Sequence, residues 1–265
     1  MISVIISNCG GVGKTTIAQD VCAIRPEEVK YKEIGVKTEC NKLAQKYKNY
    51  QMLSYKNYMD LFVELFLHHV KSKDGDIVLD ISGQRVYNFL EGVQRYKCIS
   101  QDIDFFIIPI IPDLKIMRRT IEILKCLIGE CEVPPEMIKV ILNRVDPNLT
   151  SSELKKQFQP ITDYMQEAGV PMKEVFTLRD AYDFFQQRDD SLLLKEEVFA
   201  ARDYDYMVQY ADNAEEKLHF IELHRIQRLG RDYFEDCQYI YESLVTEYME
   251  KKDAEDAVQT SAVSA

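Results

Sequence analysis

Residues 2–16 read Ile2-Ser3-Val4-Ile5-Ile6-Ser7-Asn8-Cys9-Gly10-Gly11-Val12-Gly13-Lys14-Thr15-Thr16, an apolar run that gives way to a glycine-rich turn carrying a lysine and two threonines. A short apolar run of this kind suits a strand buried on both faces. Glycines let backbone N–H groups close around an anion, while Lys14 is suited to reach the β- and γ-phosphates of a nucleotide and the Thr15 hydroxyl to ligate Mg²⁺. Residues 15–23 can then open a helix whose positive N-terminal end faces the same phosphates. The expected phosphate-binding set is Gly10, Gly11, Val12, Gly13, Lys14, Thr15 and Thr16. The common G-x-x-x-x-G-K-[ST] pattern has glycine where this chain has Asn8.

Working outward, the runs 77–79, 105–111, 138–142 and 174–178 are short, apolar and β-branched, as buried strands are. Between them, 58–70 and 116–128 repeat apolar residues at helical spacing, and Thr150-Ser151-Ser152-Glu153 fits a capping box before a helix that Pro160 should kink or restart. The second strand is expected within 33–39. Alternating strands and helices imply an α/β fold: a doubly wound, mostly parallel sheet flanked by helices, with ligand at the carboxyl ends of the strands. From about residue 195 the pattern is purely helical, with a stripe through Tyr233, Cys237, Ile240, Leu244 and Tyr248. The expected organisation is a nucleotide-binding domain over 1–194, a C-terminal helical extension over 195–252 and a disordered tail over 253–265.

Two further constellations carry chemistry. Asp80 ends the run 77–79 and is followed by Ile81-Ser82-Gly83-Gln84. A carboxylate at a strand end beside a phosphate loop can hold water on Mg²⁺, and the N–H of Gly83 can meet a γ-phosphate; a strand-end aspartate also serves as a helix N-cap. Lys14 and Asp80 are therefore the catalytic candidates, with Thr15 and Asp80 at the metal. Asn143 ends the run 138–142, and its amide, able to donate and accept together, suits a base edge.

The 265 residues suffice for one substantial α/β core. The net charge of −11 argues against a globally basic nucleic-acid binder, although Arg118-Arg119 and the series Arg225, Arg228, Arg231 are locally basic. No apolar run approaches the roughly 20 residues a bilayer requires, and Met1 leads straight into the first strand without a secretory signal, so the cytosol is the expected compartment. The 7 cysteines lack C-x-x-C pairing and read as reduced thiols; the 4 histidines lack metal-ligand spacing.

Residues 8–16 resemble the variant loop of the ParA/MinD superfamily of P-loop ATPases, usually written K-G-G-x-G-K-T-T. Phe106 to Pro112 and the helix after it strengthen the likeness, which covers residues 1 to about 190. It implies ATP and Mg²⁺ as cofactors, Asp80 as the Walker B residue, Asn143 on the adenine, slow hydrolysis without a partner, and work in plasmid partition or stability with an adaptor DNA-binding protein or DNA. Asn143 to Asp146 and Asp80 to Gln84 are also similar to the N-K-x-D and D-x-x-G-Q of GTPases, so both bases stand, with ATP favoured by the double-glycine loop. The chain departs from the superfamily at Ser82, where proline is usual, and at Cys9, where a signature lysine crosses a dimer interface. A thiol brings no such charge, which leaves the nucleotide-dependent homodimer open. The superfamily's water-positioning aspartate has only Glu39 or Gln84 as counterparts here. In this drift the chain resembles the divergent plasmid-stability and conjugation-accessory branch represented by StbB. MinD-like proteins hold membranes through a basic amphipathic C-terminal helix, whereas this end is acidic, so no membrane attachment is expected. Two other classes stay open: a P-loop kinase or ligase with a second substrate, and a nucleotide-stabilised interaction module with little turnover.

Overall fold

The computed structural model describes residues 1–25, 27–34, 47, 49–53, 60–63, 76–96, 102–188, 192–200 and 202–263. Strands β1 (Ile2–Ile5), β2 (Val29–Ile34), β3 (Gln51–Leu53), β4 (Asp76–Ile81), β5 (Phe105–Ile110), β6 (Ile138–Val145) and β7 (Val175–Arg179) form one sheet in the order β3-β2-β4-β1-β5-β6-β7. Every pairing is parallel, so all the carboxyl ends share one edge. Each central strand is apolar on both sides because each side meets a different core: Val4, Leu79, Phe106 and Val140 enter one, Ile5, Val78, Ile107 and Ile141 the other.

Helix α1 (Lys14–Ile17) follows the glycine loop and continues as a wide π turn over Ala18–Cys22. Next come α2 (Val86–Arg95), α3 (Leu114–Lys125), α4 (Ser151–Gln157), α5 (Gln159–Glu167), α6 (Tyr182–Gln187), α7 (Leu194–Val198), α8 (Tyr204–Gln209) and α9 (Ala214–Val263). Phe89 and Val93 of α2, Met117 and Leu124 of α3, and Ile161 and Met165 of α5 cover the first face. The second is covered by Ile17, by Phe184 of α6 and Val198 of α7, and by Tyr233, Cys237, Ile240 and Leu244 of α9. The helices after residue 194 thus close a face of the sheet, and the aromatic stripe of α9 is spent on that core. Gly230 permits the fit, since a Cβ there would stand 2.5 Å from the Phe184 ring. At the amino end of the sheet, the fully buried Lys139 Nζ donates to Glu174 and, at 2.6 Å, to both carboxylate oxygens of Glu247, which ties α9 to β6.

Several elements differ from expectation. The second strand occupies 29–34, ahead of the expected 33–39, and residues 35–39 lie outside the described residues. β3 was not anticipated; at three residues it is too short to show a period. Of the helix expected over 58–70, residues 60–63 are described and are helical. The backbone of 253–263 is helical, not the expected disordered tail. Extending a helix already held by its packed stripe needs no new nucleus, and Ala254, Ala257 and Gln259 are good helix formers.

The helix expected from Thr150 breaks at Phe158 and restarts with Pro160 in its first turn. The capping box is formed: Glu153 N–H donates to Thr150 Oγ1 at 3.3 Å, and Thr150 N–H to Glu153 Oε2 at 2.9 Å. Thr150→Ala is expected to lower stability by about 1 kcal/mol. A thermal melt should register this as a fall of roughly 2–4 °C. Among the described residues, no helix is long and apolar enough to cross a membrane.

Candidate functional site

β1 delivers the loop 8–13 to the carboxyl edge, where Gly13 adopts φ 90°, a left-handed conformation that turns the chain into α1. The position is also crowded: a Cβ on Gly13 would stand 2.4 Å from Asn143 Nδ2. Lys14 Nζ donates to the Cys9 carbonyl at 2.7 Å, laying the ammonium across the loop. Cys9 N–H donates to Ser7 Oγ at 3.2 Å, and the buried Cys9 thiol lies 3.4 Å from Asn8 Oδ1.

Asp80, 3% exposed near the carboxyl end of β4, accepts from Thr15 Oγ1 at 2.7 Å and from Tyr31 Oη at 3.1 Å, both on Oδ2. Burial raises its pKa above the ordinary carboxylate value, and the hydrogen bonds from Thr15 and Tyr31, with the charge of Lys14, oppose that rise. On the neighbouring strand, in register with Asp80, Glu33 is buried and accepts from Tyr50 Oη at 3.0 Å.

Lys14, Thr15, Glu33 and Asp80 open onto a cleft of about 470 Å³, lined also by Asn8, Gly10, Gly11, Gly13, Thr16, Ser82, Gly83 and Gln84. Gly83 lies against the loop, a Cβ there meeting the Asn8 and Ser7 backbone at 3.6 Å. Asn8 Nδ2 donates to the hydroxyl of Tyr87 on α2 at 2.8 Å, so the segment after β4 is tied to the loop a second time. Among the described residues, the buried Ser82 hydroxyl finds no hydrogen-bond partner, which leaves a polar atom for a ligand.

The structure therefore brings Gly10, Gly11, Gly13, Lys14, Thr15, Thr16, Asp80 and Gly83 to a single cavity. Val12 and Asn143 face each other behind the loop and do not line it. Asn143, 7% exposed, donates from Nδ2 to the Val12 carbonyl at 2.9 Å and accepts from Arg144 N–H at 2.9 Å. Its amide keeps one proton and one lone pair. Arg144 takes φ 58° where the β6–β7 register shifts, turning its exposed side chain out at the strand end. Glu39 lies outside the described residues, whereas Gln84 is exposed in the cleft. Sequence reading missed Glu33 and Tyr31 as site residues. A glutamate and a tyrosine at alternate positions of one strand were the available signal, which requires β2 to be placed beside β4 before it means anything.

No protein-family model matches the chain, and no curated protein matches it. Among solved structures, pnob8 ParA is similar at 12% identity over 91% of this chain and 98% of that chain, with a TM-score of 0.50. The MinC:MinD cell division protein complex of Aquifex aeolicus is similar at 13% identity over 70% of this chain and 83% of that chain, TM-score 0.48. A plasmid partition protein of Borrelia burgdorferi bound to AMPPNP is similar at 15% identity over 84% and 98%, TM-score 0.45. At these identities it is the fold that is shown: a parallel, helix-flanked P-loop architecture like that of pnob8 ParA.

Proposed function

We propose that the chain is a Mg-ATP-binding switch ATPase similar to ParA, acting in plasmid partition, plasmid stability or a related DNA-positioning process. The observation that carries this reading is the convergence of Lys14, Thr15 and Asp80 with the glycine loop on one cleft at the carboxyl edge of a parallel sheet. The donor set fits the ligands: oxygen donors from Thr15 and Asp80 suit Mg²⁺, while an ammonium, backbone N–H groups and an unpartnered Ser82 hydroxyl suit phosphate.

In this reading Gly10, Gly11 and Gly13 cradle phosphate and Lys14 exchanges the Cys9 carbonyl for phosphate oxygens. Mg²⁺, when bound, neutralises charge on the phosphates. Thr15 and Asp80 would hold it, Asp80 through a metal-bound water. Gly83 offers its N–H where a terminal phosphate ends, which couples the nucleotide to the segment that Asn8 and Tyr87 tie to the loop. Glu33 and Gln84 are the residues at hand to orient an attacking water. Asn143 offers its remaining proton and lone pair to the base.

Lys115, Arg118 and Arg119 at the start of α3, and Arg144 after β6, are exposed on the same edge as the cleft. This local basic rim supports contact with DNA despite the net charge of −11. Cys9, buried where the superfamily's signature lysine would stand, favours a second reading, a nucleotide-stabilised module that turns over little.

Titration of labelled ATP and GTP in the presence of Mg²⁺ tests the base assignment. ATP is expected to bind at least about tenfold tighter, since a site that hydrogen-bonds one base leaves polar groups unpaired with the other. Equal or tighter GTP binding overturns it. Hydrolysis stimulated by DNA or an adaptor separates the switch from the static module.

A further inference from the structure

Resting on the reading of the cleft as a Mg-nucleotide site, we propose that Tyr31 is a positioning residue of that site, its phenol fixing the rotation of the Asp80 carboxylate. Tyr31 is fully buried in the middle of β2, in register with Val78 of β4. Its hydroxyl donates to Asp80 Oδ2 at 3.1 Å, the same oxygen that accepts from Thr15 at 2.7 Å. A carboxylate held by one donor can turn about its Cβ–Cγ bond. Two donors arriving from different elements, α1 and β2, remove that freedom and leave the carboxylate's orientation toward the cleft preset.

The ring is itself immobilised. It stacks on Tyr47 at 5.1 Å and 14°, and lies 6.0 Å from Tyr50. A phenylalanine would fill the same space, and a phenol is costly in a core unless its hydroxyl finds a partner. The packing therefore explains the ring, and Asp80 explains the hydroxyl. The neighbouring Tyr47 provides an internal comparison, because its hydroxyl donates to the Gln19 backbone carbonyl at 3.2 Å and touches no group of the cleft.

The test uses the full chain with Tyr31→Phe and Tyr47→Phe, and fluorescent ATP titrated first in EDTA and then against rising Mg²⁺. Tyr31→Phe should keep its affinity in EDTA while the Mg²⁺ midpoint rises about tenfold, the scale of one hydrogen bond to a charged group. Tyr47→Phe should leave both unchanged. An unshifted midpoint in Tyr31→Phe overturns the inference, as does an equal loss of affinity with and without Mg²⁺, or an equal shift in Tyr47→Phe. If the unaltered chain binds no nucleotide, or binds it with no response to Mg²⁺, the reading of the cleft falls and this inference falls with it.

Discussion

Replacing Lys14 by alanine is expected to abolish nucleotide binding. The ammonium is the one lysine group that lines the described cleft, and it already spans the loop to the Cys9 carbonyl, so it reaches phosphate by exchanging one acceptor for another. Two charge-assisted hydrogen bonds of about 1.5–3 kcal/mol each amount to at least a hundredfold in affinity. The empty protein should change less, because the Lys14 side chain is only half-buried before ligand arrives. Thermal melts separate the two effects. Nucleotide at 100 times its dissociation constant stabilises the unaltered chain by about 2.7 kcal/mol, and the variant should show none of that rise. A variant that binds ATP as well as the unaltered chain would remove Lys14 from the site.

The second large effect lies behind the loop. Asp20, 3% exposed in the π turn after α1, accepts from Arg188 Nη1 at 2.8 Å and from Nη2 at 3.0 Å, across 168 residues of sequence. Burial raises the Asp20 pKa, and the charge and hydrogen bonds of Arg188 oppose the rise. Among the described residues, the buried Arg188 Nε has no hydrogen-bond partner, so the guanidinium depends heavily on this carboxylate. Asp20→Ala would leave a buried, uncompensated cation, at a cost of about 3–5 kcal/mol. A melting temperature lower by roughly 10 °C is the expected result. Adding Arg188→Met to the variant should recover part of the loss, because an apolar chain of similar length needs no partner. A single variant as stable as the parent would show that the pair contributes nothing. Since Asp20 follows the glycine loop on the same helical segment, nucleotide affinity should fall along with stability.

The glycine loop, Thr15 and the strand-end Asp80 could be located from order and spacing, because a phosphate cradle is built from consecutive backbone groups and needs no distant residue. The capping box at Thr150 and the restart at Pro160 were legible for the same reason. The second strand was harder. Val29–Ile34 carries Lys30, Lys32 and Glu33, whose charges hide it among surface segments, yet Lys32 and Glu33 are buried in the sheet. Composition likewise pointed to a loose end after Lys252, whereas α9 carries its helix to Val263.

Local chemistry, then, was enough to place a glycine-rich turn between a buried strand and a helix and to imply a parallel α/β sheet, since alternating periods and chain punctuation are properties of neighbouring residues. The environment of that turn came from long-range pairing alone. Seating β2 next to β4 puts Tyr31 and Glu33 beside Asp80. The end of β6 puts Asn143 against Val12, and the fold of the chain after β7 puts Arg188 on Asp20. Strand order has no local signature. It follows from which apolar faces must be buried together, and that is settled only when the whole chain packs.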